Sequence, residues 1–180
     1  MLIDAFEEEA RARGYEIVRL AINREAEPSV RIDRPSARKV ALEMNDYFED
    51  LPDELAQAFA VSVMDYITGS SPWTPSSVRR YVREHHIGAY IRRSRLIPPE
   101  EVKGCDLQAI AERMKAADMI PADVTLVWSP DEYCSRISPT FRIIAVAPFL
   151  IEEGEDAIVG SVQADMAVLR TKMEKQEGSE

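Results

Sequence analysis

The sequence predicts an α+β fold, an antiparallel sheet packed with several helices in a single domain. Three observations predict it. Apolar residues recur at helical spacing in some segments and alternate at strand spacing in others. Proline and glycine fall where the period changes. With 180 residues, 46% hydrophobic and 30% charged, the chain is long enough for one core and short for two. The domain is expected to span residues 1–175, with 176–180 as a disordered tail.

Residues Leu2 to Arg13 read as a helix with Ile3, Phe6 and Ala10 on one face, and Gly14 is placed to end it. "YEIVRLAI", "SVRID" and "RKVALEM" follow as three strands, expected to form an antiparallel meander. In "DLPDELAQAFAVSVMDYITG" the period lengthens. Leu55, Phe59, Val63 and Tyr66 or Ile67 share a stripe between Pro52-Asp53 and Gly69, which predicts a helix. "SSPWTPSS" reads as a linker, and Thr74-Pro75 or Ser76 opens an arginine-rich helix expected to bend or break near Gly88, before Pro98-Pro99. From Asp106 to about Ala117 a further helix carries Leu107, Ile110, Ala111 and Met114. Three more strands are expected in "VTLVW", "YCSRI" and "FRIIAVA", the first two joined by a type I turn at "SPDE". A helix from about Asp156 to Lys175 closes the chain, with Ile158, Val162, Met166, Leu169 and Met173 along its core face and Asp165 on the flank. No repeat or low-complexity tract is visible.

Charge and composition bound the function. The net charge of −10 disfavours non-specific attraction to nucleic acid or to an anionic membrane. The longest nearly uninterrupted apolar run, Ile143 to Ile151, contains Pro148 and falls far short of the about 20 residues a membrane helix needs. The acidic N-terminal stretch has neither the basic region nor the cleavage site of an export signal, so a cytoplasmic protein is expected. Cys105 and Cys134 form no CxxC pair and read as ordinary buried thiols of a reducing compartment. Trp73 and Trp128 read as core or rim packing.

Two stretches carry a likeness. "NDYFEDLPDELAQAFA" (Asn45–Ala60) and "SRISPTFRIIAVAPFL" (Ser135–Leu150), the latter leading into a helix, resemble small prokaryotic zinc metallopeptidases of the SprT-like or minimal gluzincin type. In such domains a strand runs into a helix bearing HExxH, whose histidines, one turn apart, hold zinc while the glutamate activates water. The resemblance therefore implies a metallopeptidase-like frame. In the corresponding register Asp165 and Leu169 stand at the histidine positions and Met166 at the glutamate position, and no histidine follows His86. Methionine accepts no proton and leucine ligates no metal. The resemblance thus implies a degenerate, non-catalytic member.

The remaining candidates sit in "REHHIGAYIRRSR", residues 83–95. His85 and His86 are the only histidines. Neighbours on a helix point about 100° apart, so the two converge on one metal only if the helix breaks. His85 lines up with Val78, Tyr81, Val82 and Ala89 and is expected at the core edge; His86 is expected on the surface. Arg79, Arg80, Arg83, Arg92, Arg93 and Arg95 face a single local acid, Glu84, forming a candidate basic patch for an anion or nucleic acid, with Tyr81 and Tyr90 as stacking partners. A solvated face paired to the chain's surplus acids is the plainer reading. GxSxG, GxGxxG and phosphate-cradling glycine loops are absent. The expected function is a non-catalytic binding or adaptor module with no cofactor. Its expected partner is a protein or small ligand, with homo-oligomerisation open, no membrane, and nucleic acid not favoured. The alternatives are a hydrolase with a divergent metal site of Asp165 with His85 or His86, and a nucleic-acid-associated protein using Arg79 to Arg95.

Overall fold

The computed structural model describes residues 1–69 and 74–177. The fold is α+β, with helices framing two small sheets. Within it, two compact units can be told apart, Met1–Ile87 and Gly88–Gln176.

The first unit begins with α1 (Leu2–Ala12), β1 (Glu16–Asn23), β2 (Val30–Ser36) and β3 (Lys39–Asn45), and a 3-10 turn at Asp46–Phe48 leads to α2 (Asp53–Ile67). The strands are not an antiparallel meander. Their order is β1-β3-β2; β2 and β3 form an antiparallel hairpin, whereas β1 runs parallel to β3. Alternation says which face a strand buries but not which neighbour it takes. What decides the pairing is the connection at residues 24–29, which arches over the end of β3. There the fully buried Asn45 donates from Nδ2 to the Glu25 carbonyl (2.8 Å) and to Asn23 Oδ1 (3.2 Å), and its Oδ1 accepts from the Tyr47 amide (3.0 Å). The Asn45 amide donates to the Ser29 carbonyl, and the Tyr47 hydroxyl to that of Ala26.

Val40, Leu42 and Met44 line the inner face of this sheet. Phe59 of α2 meets Phe6 of α1 edge-on (5.7 Å) and stacks on Phe48 (4.5 Å), filling the core. On α2 the buried stripe is Phe59, Val63 and Ile67, while Tyr66 is exposed; on α1 Leu2 and Ala5 are buried where Ile3 was expected. The outer face is polar. Arg31 pairs with both Glu25 and Glu43 across the strands, as the half-solvated side of such a sheet requires.

The second unit holds α4 (Leu107–Ala116), β4 (Thr125–Trp128), β5 (Arg136–Ser138), β6 (Ile143–Val146), α5 (Leu150–Glu153) and α6 (Glu155–Glu177). Its sheet has order β4-β6-β5, with β4 parallel and β5 antiparallel to the central β6. The two units therefore share one arrangement: a helix, three strands with the third in the middle, then a helix. No repeat is legible in the sequence because the copies differ in pattern. β3 alternates, whereas β6 is buried at every residue, as its unbroken "IIAV" requires. Residues 129–135 cross the sheet end instead of making a tight turn, held by the Phe149 amide on the Glu132 carbonyl and the Asp131 amide on Ser129 Oγ. Leu107, Ile110, Ala111 and Met114 of α4 and Ile158, Val162, Met166 and Leu169 of α6 close over Leu126, Trp128, Ile144 and Val146.

Three local expectations are corrected. Helix α3 (Ser76–Arg93) continues through Gly88, where a methyl group would meet only Arg92 Nη1 at an ordinary 3.5 Å. Cys134 is exposed and Cys105 half-buried, so neither is a fully buried thiol. Gln176 and Glu177, expected in the tail, remain helical, and Gln176 donates to Thr140 Oγ1. Trp128 is fully buried as expected, while Trp73 and part of the expected linker lie outside the described residues.

Candidate functional site

Helix α3 sorts its side chains by angle. Val78 and Val82 are buried, and Ser76, Arg80, Glu84, Gly88 and Arg92 form an exposed stripe at four-residue spacing. Between these lies a half-buried stripe of Arg79, Arg83, His86 and Arg93. The arginines predicted as one basic patch thus fall on two different faces. Arg79 donates to the Thr74 carbonyl, and Arg83 and Arg93 also have partners. Arg80 and Arg92 share the exposed stripe with Glu84.

The two histidines exchange their expected places. His85 is exposed: its ring stacks on Tyr81 at 3.9 Å, and its Nδ1 lies 2.9 Å from the Tyr81 carbonyl. A carbonyl only accepts, so Nδ1 carries the proton in this contact. His86 is the more enclosed, its side chain 18% exposed. Its Nε2 lies 2.9 Å from Asp50 Oδ1 and its ring 5.2 Å from that of Tyr47. Tyr81 donates its hydroxyl to the Asp50 carbonyl at 3.0 Å, and burial followed by the Asp50 charge raises its pKa. The sequence signal that finds this group is the spacing of Tyr81 and His85, one turn apart. The Asp50 partner, 36 residues from His86, has no such signal.

Asp165 lies at the flank of α6's core face, as its helical angle predicts, and is half-buried. Its Oδ1 accepts from Ser135 Oγ at 3.2 Å, while Oδ2 is buried without a partner. Burial raises the carboxyl pKa, opposed by the Ser135 hydrogen bond. Of the expected divergent site, Asp165 is thus engaged by Ser135 and His86 by Asp50. Among the described residues no three His, Cys, Asp or Glu side chains converge as metal ligands would.

On the core face of α6, Met166 is 2% and Leu169 0% exposed, packed with Ile158 and Val162 against β4 and β6.

A recess of about 740 Å³ lies at the start of α4, lined by Glu100, Val102, Lys103, Cys105, Asp106 and Gln108 among others. The Asp106 carboxylate there caps α4 by accepting the Ala109 amide at 3.0 Å. Burial raises the Cys105 pKa, the Glu155 and Asp106 charges add to the rise, and Arg113 opposes it. No helix among the described residues is long and apolar enough to cross a membrane. The chain matches no protein-family model, and neither a curated protein nor a solved structure matches it.

Proposed function

We propose that the protein is a non-catalytic binding module, related in frame to the small zinc peptidases its sequence resembles, with the catalytic positions of its last helix turned over to packing. One observation carries this reading. Met166 and Leu169 are buried in the core of the second unit, where side-chain volume and hydrocarbon contact count and a ligating atom would be stranded. The partner this reading implies is a protein or a small ligand in the cytoplasm, a second copy of the chain included. Nucleic acid fits less well, because the net charge is −10 and the arginines of α3 face different ways.

The test is hydrolysis of an unstructured protein substrate by the full chain, with and without zinc and a chelator. The reading expects no cleavage that tracks the metal. Cleavage abolished by the chelator and restored by zinc would end it.

A further inference from the structure

Acidic residues outnumber basic ones 32 to 22, and four cations in and beside α1 and the first sheet find a carboxylate. Arg13 pairs with Glu9 and Asp65, Arg31 with Glu25 and Glu43, Lys39 with Glu16, and Arg24 approaches Asp46. Arg34, at the end of β2, and Arg38, in the hairpin that follows, meet at one aromatic ring. Both are exposed, and among the described residues neither is ion-paired to a carboxylate. Both converge on Tyr15, the Arg38 guanidinium 5.5 Å and that of Arg34 6.0 Å from the ring centroid. Arg34 is further steered by the Ile67 carbonyl at 3.4 Å and the Ala37 carbonyl at 3.5 Å.

Two like charges gathered on one aromatic ring, on an acidic protein, is an arrangement that an anion would complete. We propose that Tyr15, Arg34 and Arg38 form a binding site for a phosphate monoester group. The Arg38 guanidinium presents a planar fork of N–H donors suited to phosphate oxygens, and Arg34 adds a second positive charge and the N–H groups not directed at the Ile67 and Ala37 carbonyls, so that together they match a dianion better than a single carboxylate. The tyrosine ring keeps both side chains from dispersing, so less ordering remains to be done on binding. The overall negative charge selects a compact ligand, since a polyanion would feel the field of the whole chain. None of its three residues belongs to α3 or α6, and the site stands whether or not the module catalyses anything.

The arginine side-chain Nε–H signals in a heteronuclear NMR titration of the full chain report on this site directly. Inorganic phosphate and phosphoserine are the two probes, at low ionic strength. Saturable shifts confined to Arg34 and Arg38 are expected. Equal affinity for the two probes would assign recognition to the phosphate group alone, and tighter phosphoserine binding to the monoester; both outcomes support the site. Arg38→Gln should weaken binding about tenfold, and Arg38→Lys, which keeps the charge without the fork, should weaken it less. Arg170→Gln, on the exposed side of α6, should leave it unchanged. Overlaid circular dichroism melts establish that the variants fold. Shifts spread over all arginines without saturation, or saturation by an RNA oligonucleotide but not by either phosphate probe, would overturn the proposal.

Discussion

Asn45 shows how much one polar side chain can decide. Its amide and backbone satisfy the groups of a connection that would otherwise lie unpaired over the end of β3, and the parallel pairing of β1 depends on that connection. Asn45→Ala leaves the Glu25 carbonyl and the Tyr47 amide without these partners and opens a small void. It is expected to cost about 2–3 kcal/mol in urea unfolding. Asp165 is the reverse case, a group that weakens the fold when charged. Burial lifts its pKa above the ordinary 3.8, so between that value and the raised one the folded chain binds more protons than the unfolded. Stability from this group is therefore present at low pH and is lost as pH rises through the folded pKa. Compared with Asp165→Asn, the parent should lose ground from about pH 4 until the raised pKa is passed, and hold level above it. Unfolding curves taken across that range check the sign, and parallel pH profiles for the two chains would contradict it.

At the scale of elements, α3 and α6 show what helical spacing can and cannot say. The core face of α6 was legible because Ile158, Val162, Met166 and Leu169 recur at a fixed angle, and all four are buried. For α3 the same reasoning fails with the histidines. Tyr81 and His85 share an angle, yet they stack on each other with the imidazole exposed, while His86 turns toward Tyr47 and Asp50. Which face of a helix is covered depends on partners distant in sequence. Gly88 misleads in a similar way, because glycine permits a break without requiring one. Inside a continuous helix, with no positive φ and room for a methyl group, Gly88→Ala should stabilise the protein by about 0.5–1 kcal/mol. A higher denaturant midpoint measures it; a lower one would mean that the helix is not regular at that point.

For the molecule as a whole, the α+β class followed from changes of period that the structure retains at nearly every element. The sheet topology did not follow. β1 and β4 each run parallel to a strand two places further along, and that depends on short connections crossing a sheet end, 24–29 in one unit and 129–135 in the other. The shared arrangement of the two units was hidden for a related reason. One sheet has a solvated, ion-paired face and the other is covered on both sides of its central strand, so the same topology is written in two hydrophobic patterns. The candidate site residues were legible as types, not as constellations: Asp50, Ser135 and Tyr15 enter only through folding.

The proposed non-catalytic reading rests on Met166 and Leu169 of α6 lying buried in the core, hydrocarbon and thioether with no metal-binding group between them. Equilibrium dialysis of the full chain against zinc, with metal content read by mass spectrometry, tests this most directly. The expected result is no stoichiometric zinc and a melting temperature that a chelator leaves unchanged. One tightly held equivalent per chain, lost together with thermal stability on chelation and on substitution of Asp165, would contradict it.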